Sequence, residues 1–438
     1  MTRDRYVDFL RALAICLVVL GHWMITALVR HDGTITAPEV LSAISWTQWL
    51  TLVFQIMPLF FLAGGHAAAG SWSRHLAGGG GMTPWIRRRA LRLLLPTAMY
   101  AGLVMIGVAV STAFGADPDT LALVGWALAM QFWFLPVYLL LSAFTPLLHT
   151  AHRRWGLLVP VAMGLLAVLA DLWLVALHLP YLSAVNYLLV WGFAYQLGFC
   201  WHDGLLTRKR RLPGLLLPAA MAVGGGAAFA ALIVYGPFPP SLVLVSTETV
   251  TNTNPPSIAM LAWACAQIGL CLLLAPAARL ALRNERLWRL VRPVSRASMT
   301  LYLWHMLPVI LAAALFYLTD LAPEPIVGSL HWWALRIPWV LLLAALLLGI
   351  TAALRPVERV LAGLYESCRP DAEALHPVLL WLGLVTTVFA LSIWATHGFA
   401  YGGHFPAVAE AGFAVGGALV GLRRPDPAPD ADRESQPA

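Results

Sequence analysis

Long apolar runs separated by short polar connections dominate this chain. They fall at about 8–29, 48–70, 93–114, 121–148, 155–178, 183–202, 214–236, 257–282, 298–318, 332–354, 377–397 and 404–422. Most match the roughly 20 residues that a helix needs to cross a hydrocarbon core about 30 Å thick. The runs are unbroken rather than alternating, so they lack the two-residue period of a strand. In lipid the backbone must satisfy its own hydrogen bonds, which leaves helices as the reading. The run at 404–422 is the weakest, being short, Gly-rich and interrupted by Glu410. The pattern predicts an all-α polytopic membrane protein.

Composition strengthens that reading. Of the 438 residues, 60% are hydrophobic and only 11% are charged, against about a quarter charged in a soluble domain. The net charge of +7 does not signal nucleic acid, because the arginines sit in short connections between apolar runs. Arg74, Arg87, Arg88, Arg89 and Arg92 follow the second run; Arg153 and Arg154 the fourth; Arg208, Lys209, Arg210 and Arg211 the sixth. Arg279, Arg283, Arg286, Arg289, Arg292 and Arg296 follow the eighth, and Arg355, Arg359 and Arg369 the tenth. The alternate connections carry Asp32, Glu39, Asp117, Asp119, Glu248, Asp320 and Glu324. Positive charge stays on the cytoplasmic side, so both termini are expected in the cytoplasm. The polar, Pro-rich stretch 237–256 becomes the longest outer loop, either a cover for an outward-facing site or a plain connector. The five cysteines show no metal or disulfide spacing, and no metal is expected.

Ionisable residues inside a span are costly and therefore candidates for function. The first run, DFLRALAICLVVLGHWMITA, holds Arg11 and His22. Eleven steps of about 100° bring them onto one helix face, roughly 16 Å apart along the axis. Asp8 lies one turn before Arg11 near the same stripe. One reading is a route through the membrane, in which Arg11 holds an anionic group and His22 exchanges a proton deeper in. The alternative is that Arg11 snorkels to the interface and His22 bonds a neighbouring helix. In SMTLYLWHMLP, Tyr302 and His305 share a face and are candidate cavity-lining residues. The segment RRRALRLLLP, with Arg88, Arg89, Arg92 and Pro96, suits phosphate groups, although topology alone would also place it there. His66 has no assigned role. No Gly-rich phosphate loop, G-x-S-x-G elbow or H-E-x-x-H metal motif is present.

The Arg11–His22 spacing resembles the first helix of the membrane-bound acyltransferase 3 family. Matches continue in order with MPLFFLAGG at 57–65, RRRALRLLLP at 87–96, FWFLPVYLL at 132–140 and TLYLWH at 300–305. The stretch TNTNPPSIAMLAWACAQIG at 251–269 resembles actinobacterial members. The resemblance implies a ten-helix acyltransferase-like core over about 1–365, additional transmembrane helices over 366–422, and a disordered cytoplasmic tail over 423–438. It implies acyl transfer, often of acetyl, from cytoplasmic acyl-CoA to a hydroxyl on a carbohydrate, lipid or other envelope acceptor. Acyl-CoA is then a co-substrate, with no bound cofactor and no nucleic-acid partner, in the plasma membrane of a bacterium. His22 becomes the expected base, Arg11 the partner of the acyl-CoA, and Arg89 and Arg92 the partners of its phosphates. His305 matches the family's second histidine. One departure stands out: many members carry a Glu just after the W-F-L of the fourth helix, where this chain has Pro136, Val137 and Tyr138. A transporter or exporter of a glycan or lipid, with no chemistry, is the competing expectation.

Overall fold

The computed structural model describes residues 4–31, 34–177, 184–207 and 214–424. The basic run Arg208–Arg211, Asp32, and the tail beyond residue 424 lie outside the described residues. The chain is almost wholly helical. Its first half comprises α1 (Arg5–Ile25), α2 (Val40–Ala43), α3 (Thr51–Phe54), α4 (Met57–Ala77), α5 (Met82–Ala113), α6 (Pro118–Ala129), α7 (Phe134–Ala143), α8 (Thr145–Trp155) and α9 (Leu158–Leu177). The second comprises α10 (Asn186–His202), α11 (Leu216–Tyr235), α12 (Ile258–Ala281), α13 (Glu285–Arg296), α14 (Ser298–Trp304), α15 (Leu307–Leu318), α16 (Leu330–Ala353), α17 (Arg355–Ser367), α18 (Pro377–His397) and α19 (Ala407–Gly421). Among the described residues a single small hairpin pairs β1 (Val29–His31) with β2 (Thr34–Thr36), Val29 opposite Thr36. Among the described residues, nine helices are long and apolar enough to cross a membrane, or ten if α8 and α9, bent by 111°, form one span. The chain is thus an all-α polytopic membrane protein, as its hydrophobic pattern predicts.

Helices approach closely where side chains are small, as lipid-embedded bundles require. At the α4–α10 crossing a Cβ on Gly65 would lie 1.9 Å from the Tyr195 carbonyl oxygen, and one on Gly198 would lie 2.3 Å from that of Leu62. Neither position tolerates even alanine without separating the helices.

Several predicted runs are not continuous helices. The run 48–70 is divided, with a 3-10 turn at Ser45–Leu50 and α3 on one side of Gln55–Ile56 and α4 on the other. The run 121–148 holds a 3-10 turn at Met130–Trp133 between α6 and α7. The run 298–318 breaks at His305–Met306 between α14 and α15. A proline stands just beyond each break: Pro58, Pro136 and Pro308. Proline lacks the donor that would continue the preceding turn, and its ring clashes with that turn.

The C-terminal helices are fastened to the rest by Arg87. This side chain is fully buried and donates to the carbonyl oxygens of Cys368 and Arg369, after α17, and of Val420 and Gly421, at the end of α19. Two helix ends, each with carbonyls lacking an intrahelical partner, share one guanidinium. Helix α18 packs along α7 and the 130–133 turn, where Phe132, Trp394 and Phe399 form a ring cluster with centroids 5.1–5.8 Å apart. Arg423 and Arg424 bridge back to Ala374 and Glu373.

Replacing Arg87 with alanine should destabilise the protein by about 3 kcal/mol or more, as for other buried polar partners. Arg88→Ala, whose ion pair to the exposed Asp371 is 2.7 Å long, should cost less than about 1 kcal/mol. Thermal unfolding of the purified, detergent-solubilised variants compares the two, and equal stability of both would contradict the clasp.

A cavity joining an arginine cluster to a histidine pair

The first two breaks, together with α14 just before the third, line one cavity of about 350 Å³. At one end it is lined by Arg11, Arg89 and Arg92, with Ser298 and Met299 beside them. His22, Gln131, Tyr138 and Tyr302 line it further along, and Thr47, Thr51, Gln55, Val243 and Thr253 line it toward the 237–256 loop. Non-helical backbone at membrane depth persists only where protein buries it or a cavity adjoins it. Here both conditions hold, and side chains take up the freed carbonyls. Gln267 Nε2 donates to the Gln55 oxygen at 3.1 Å, and Gln55 Nε2 donates to the Leu242 oxygen at 2.9 Å. Trp23 Nε1 donates to the His305 oxygen at 2.8 Å. The Tyr302 hydroxyl donates to the Gln131 oxygen at 2.7 Å, while Gln131 Nε2 donates to the oxygens of Leu128 and Leu303.

His22 and His305 meet across this frame. Their rings stack at 14° with centroids 5.0 Å apart, and His22 Nδ1 lies 2.8 Å from His305 Nε2. His305 Nδ1 lies 2.8 Å from the Tyr302 carbonyl oxygen. A carbonyl only accepts, so His305 Nδ1 carries the hydrogen. In the neutral pair His305 Nε2 is then the acceptor, and His22 Nδ1 must donate to it. This order leaves the second nitrogen of His22, Nε2, with its lone pair uncommitted. The pair is thereby oriented by a backbone carbonyl that the helix break makes available.

The basic segment divides by helical phase. Arg89 and Arg92, three residues apart, share a face and line the cavity. Arg89 lies over the Trp85 ring at 4.8 Å and Arg92 over the Tyr365 ring at 5.9 Å. Arg88 pairs with Asp371, and Arg87 is the structural clasp. No carboxylate among the described residues pairs with Arg11, Arg89 or Arg92, so this end of the cavity is set up for an anion.

The sequence candidates therefore part company. His22, Arg11, Arg89, Arg92 and Tyr302 come together in one cavity. His305 is fully buried behind His22 and does not line it. Asp8 is buried and lines a separate, smaller cavity with Trp288, Arg292, Ser295 and Arg296. Pro136, Val137 and Tyr138 occupy the position of the missing Glu, and of these Tyr138 faces the cavity. Gln131 escaped the sequence reading, although FWFLP already marked a proline break beside it. His66 packs against Trp201 and His202 and does not line the cavity.

The 237–256 loop is folded over the far end rather than loose. Asn252 Nδ2 donates to the oxygens of Pro239 and Ser241, and the Thr253 hydroxyl donates to that of Leu242. Glu39 fastens the loop to the segment before α2, accepting from the amide and hydroxyl of Ser246 and from the Ser42 hydroxyl. Partial burial pushes this carboxyl up, but those hydrogen bonds outweigh it and hold it below the ordinary value of 4.5. A depressed carboxylate contributes stability above its unfolded value and loses it as pH falls through the folded one. Hydrogen exchange at Ser246, corrected for intrinsic rate, should show constant protection from pH 8 to about 5 and declining protection below about 4.5. Glu39→Ala should lack protection across the whole range. A pH-independent profile in the wild type would contradict the latch.

No curated protein and no solved structure gives a significant match. The family model described as an acyltransferase domain matches residues 4–355, from the start of α1 through α16 and just into α17. That span contains both histidines, the three cavity arginines and all three breaks, and the chain belongs to the acyltransferase 3 family of membrane acyltransferases.

Proposed function

We propose that this protein is an O-acyltransferase that moves an acyl group, acetyl or another short chain, from acyl-CoA to an acceptor hydroxyl. The acceptor is a carbohydrate, lipid or other envelope molecule. The observation that carries this reading is a single cavity lined both by Arg11, Arg89 and Arg92 and by His22. Coenzyme A is polyanionic, and three guanidiniums without carboxylate partners suit its phosphates. Arg11 and His22 lie about 16 Å apart along α1, so a flexible arm between phosphates and thioester bridges them. The basic end faces the cytoplasm by the positive-inside rule, in the plasma membrane of a bacterium, with both termini on that side.

In the proposed reaction the acceptor hydroxyl gives its proton to His22 Nε2 as its oxygen attacks the thioester carbonyl carbon. The C–S bond breaks, and the imidazolium returns the proton to the departing thiolate. His22 Nδ1–H stays bonded to His305 Nε2 throughout, so His305 orients the base and disperses its positive charge. This is the positioning role that a buried acceptor plays behind a catalytic histidine. Tyr302 fixes His305 through its carbonyl and is itself held by Gln131.

A second reading, export of a glycan or lipid without chemistry, draws on the cavity reaching from the arginines to Val243 and Thr253. It gives the histidine pair no task. Purified protein offered radiolabelled acetyl-CoA and an envelope extract separates the two. His22→Ala should lower transfer by roughly 10²- to 10⁴-fold without loss of folded protein. Arg11→Ala should raise the apparent KM for acyl-CoA by about tenfold or more, with less effect on the acceptor. His305→Ala should lower kcat with little change in the KM for acyl-CoA. Wild-type turnover in His22→Ala would remove the catalytic assignment, and absence of acyl transfer from folded wild type would favour export.

A further inference from the structure

Helix α13 lies at the basic end and presents Trp288, Arg292, Ser295 and Arg296; Arg292 follows Trp288 by four residues, and Ser295 and Arg296 follow Arg292 by three and four, so all lie on one face. With Asp8 of α1 they line a second cavity of about 150 Å³. The Ser295 side chain is 7% exposed, and its hydroxyl oxygen has no hydrogen-bond partner. A buried hydroxyl without a partner at a cavity wall is a group awaiting one. Arg292 and Arg296 form no ion pair among the described residues. Arg5 fixes the indole, lying over the Trp288 ring at 5.1 Å while its Nη2 pairs with Glu285 at 2.6 Å.

The second cavity adjoins the first. Asp8 and Arg11 are one turn apart on α1, about 4.5 Å along the axis. Ser295 and Arg296 lie just before Ser298 and Met299, which line the main cavity. The two cavities thus flank the same contact between α1 and the α13–α14 junction. Two guanidiniums, an indole and a hydroxyl suit a nucleoside phosphate. The arginines take phosphate oxygens, the ring takes the base, and Ser295 takes a ribose or amine hydrogen.

We propose that this second cavity binds the 3′-phosphorylated nucleoside end of the acyl donor, while Arg11, Arg89 and Arg92 hold its diphosphate and the main cavity takes its acyl-bearing arm. The proposal rests on the acyl-CoA reading above. The competing occupant with the same chemistry is an anionic lipid headgroup, because α13 carries exposed Leu290 beside its arginines.

Equilibrium binding to the full-length protein in phosphatidylcholine nanodiscs distinguishes these outcomes. The probes are coenzyme A and acetyl-pantetheine, which lacks the nucleotide. Arg292→Ala/Arg296→Ala should weaken coenzyme A by roughly tenfold or more and leave acetyl-pantetheine unchanged. Adenosine 3′,5′-bisphosphate should compete with coenzyme A on the wild type and lose that ability on the variant. Arg292→Lys/Arg296→Lys should retain most of the affinity. Unchanged coenzyme A binding in the alanine variant, or equal loss of both probes, would overturn the subsite. Loss confined to stabilisation by phosphatidylglycerol nanodiscs would assign the cavity to lipid and overturn it too. A wild type that binds neither probe would instead overturn the acyl-CoA reading, and the subsite with it.

Discussion

A lipid bilayer offers no water to a backbone carbonyl, so every helix break at membrane depth must be answered by a side chain. This constraint organises the centre of the molecule. Pro58, Pro136 and Pro308 interrupt three spans, and each interruption releases backbone groups at the level of the cavity. The answering donors are Gln267, Tyr302, Gln131, Trp23 and His305. All but His305, which answers its own break at Tyr302, come from a different helix or from the neighbouring break, so the breaks lock one another in place. The His22–His305 pair belongs to this network. His305 answers the Tyr302 carbonyl through one nitrogen and meets His22 through the other. Satisfying the backbone and orienting the His22 ring are then one arrangement.

The same network frames a cavity with two unlike ends. Charge is placed where a ligand can neutralise it, with Arg11, Arg89 and Arg92 at one end of the cavity. His22 lies about 16 Å from Arg11 along α1, in a cavity that Phe60, Trp133 and Phe134 also line. The loop fastened by Glu39 closes the opposite end. The C-terminal helices, beyond the family match, brace the 130–133 turn through Trp394 and Phe399 and are clasped by Arg87.

Much of this was legible in the sequence. Unbroken apolar runs dictated helices, and the eleven-residue separation placed Arg11 and His22 on one face of α1. The pairing of His22 with His305, 283 residues away, was not legible, because a helix-period argument relates only residues of one helix. The proline after each break was visible in MPLFF, FWFLP and WHMLP, yet a hydrophobic run reads the same whether continuous or broken. Helical phase already separated Arg87 from Arg89 and Arg92, but only packing shows that Arg87 faces two helix ends. Asp8 illustrates the opposite case. It lies on the stripe of Arg11, but the contact between α1 and α13 draws it into a different cavity.

The Tyr302 carbonyl, acting through His305, sets the tautomer of His22 so that its Nε2 carries no hydrogen. The most direct measurement is ¹⁵N NMR of histidine-labelled protein in lipid at neutral pH, with His22→Ala and His305→Ala used to assign the signals. The account predicts that His22 is neutral with its hydrogen on Nδ1 and none on Nε2, and that this preference is lost in His305→Ala. A wild-type His22 carrying its hydrogen on Nε2 would contradict it.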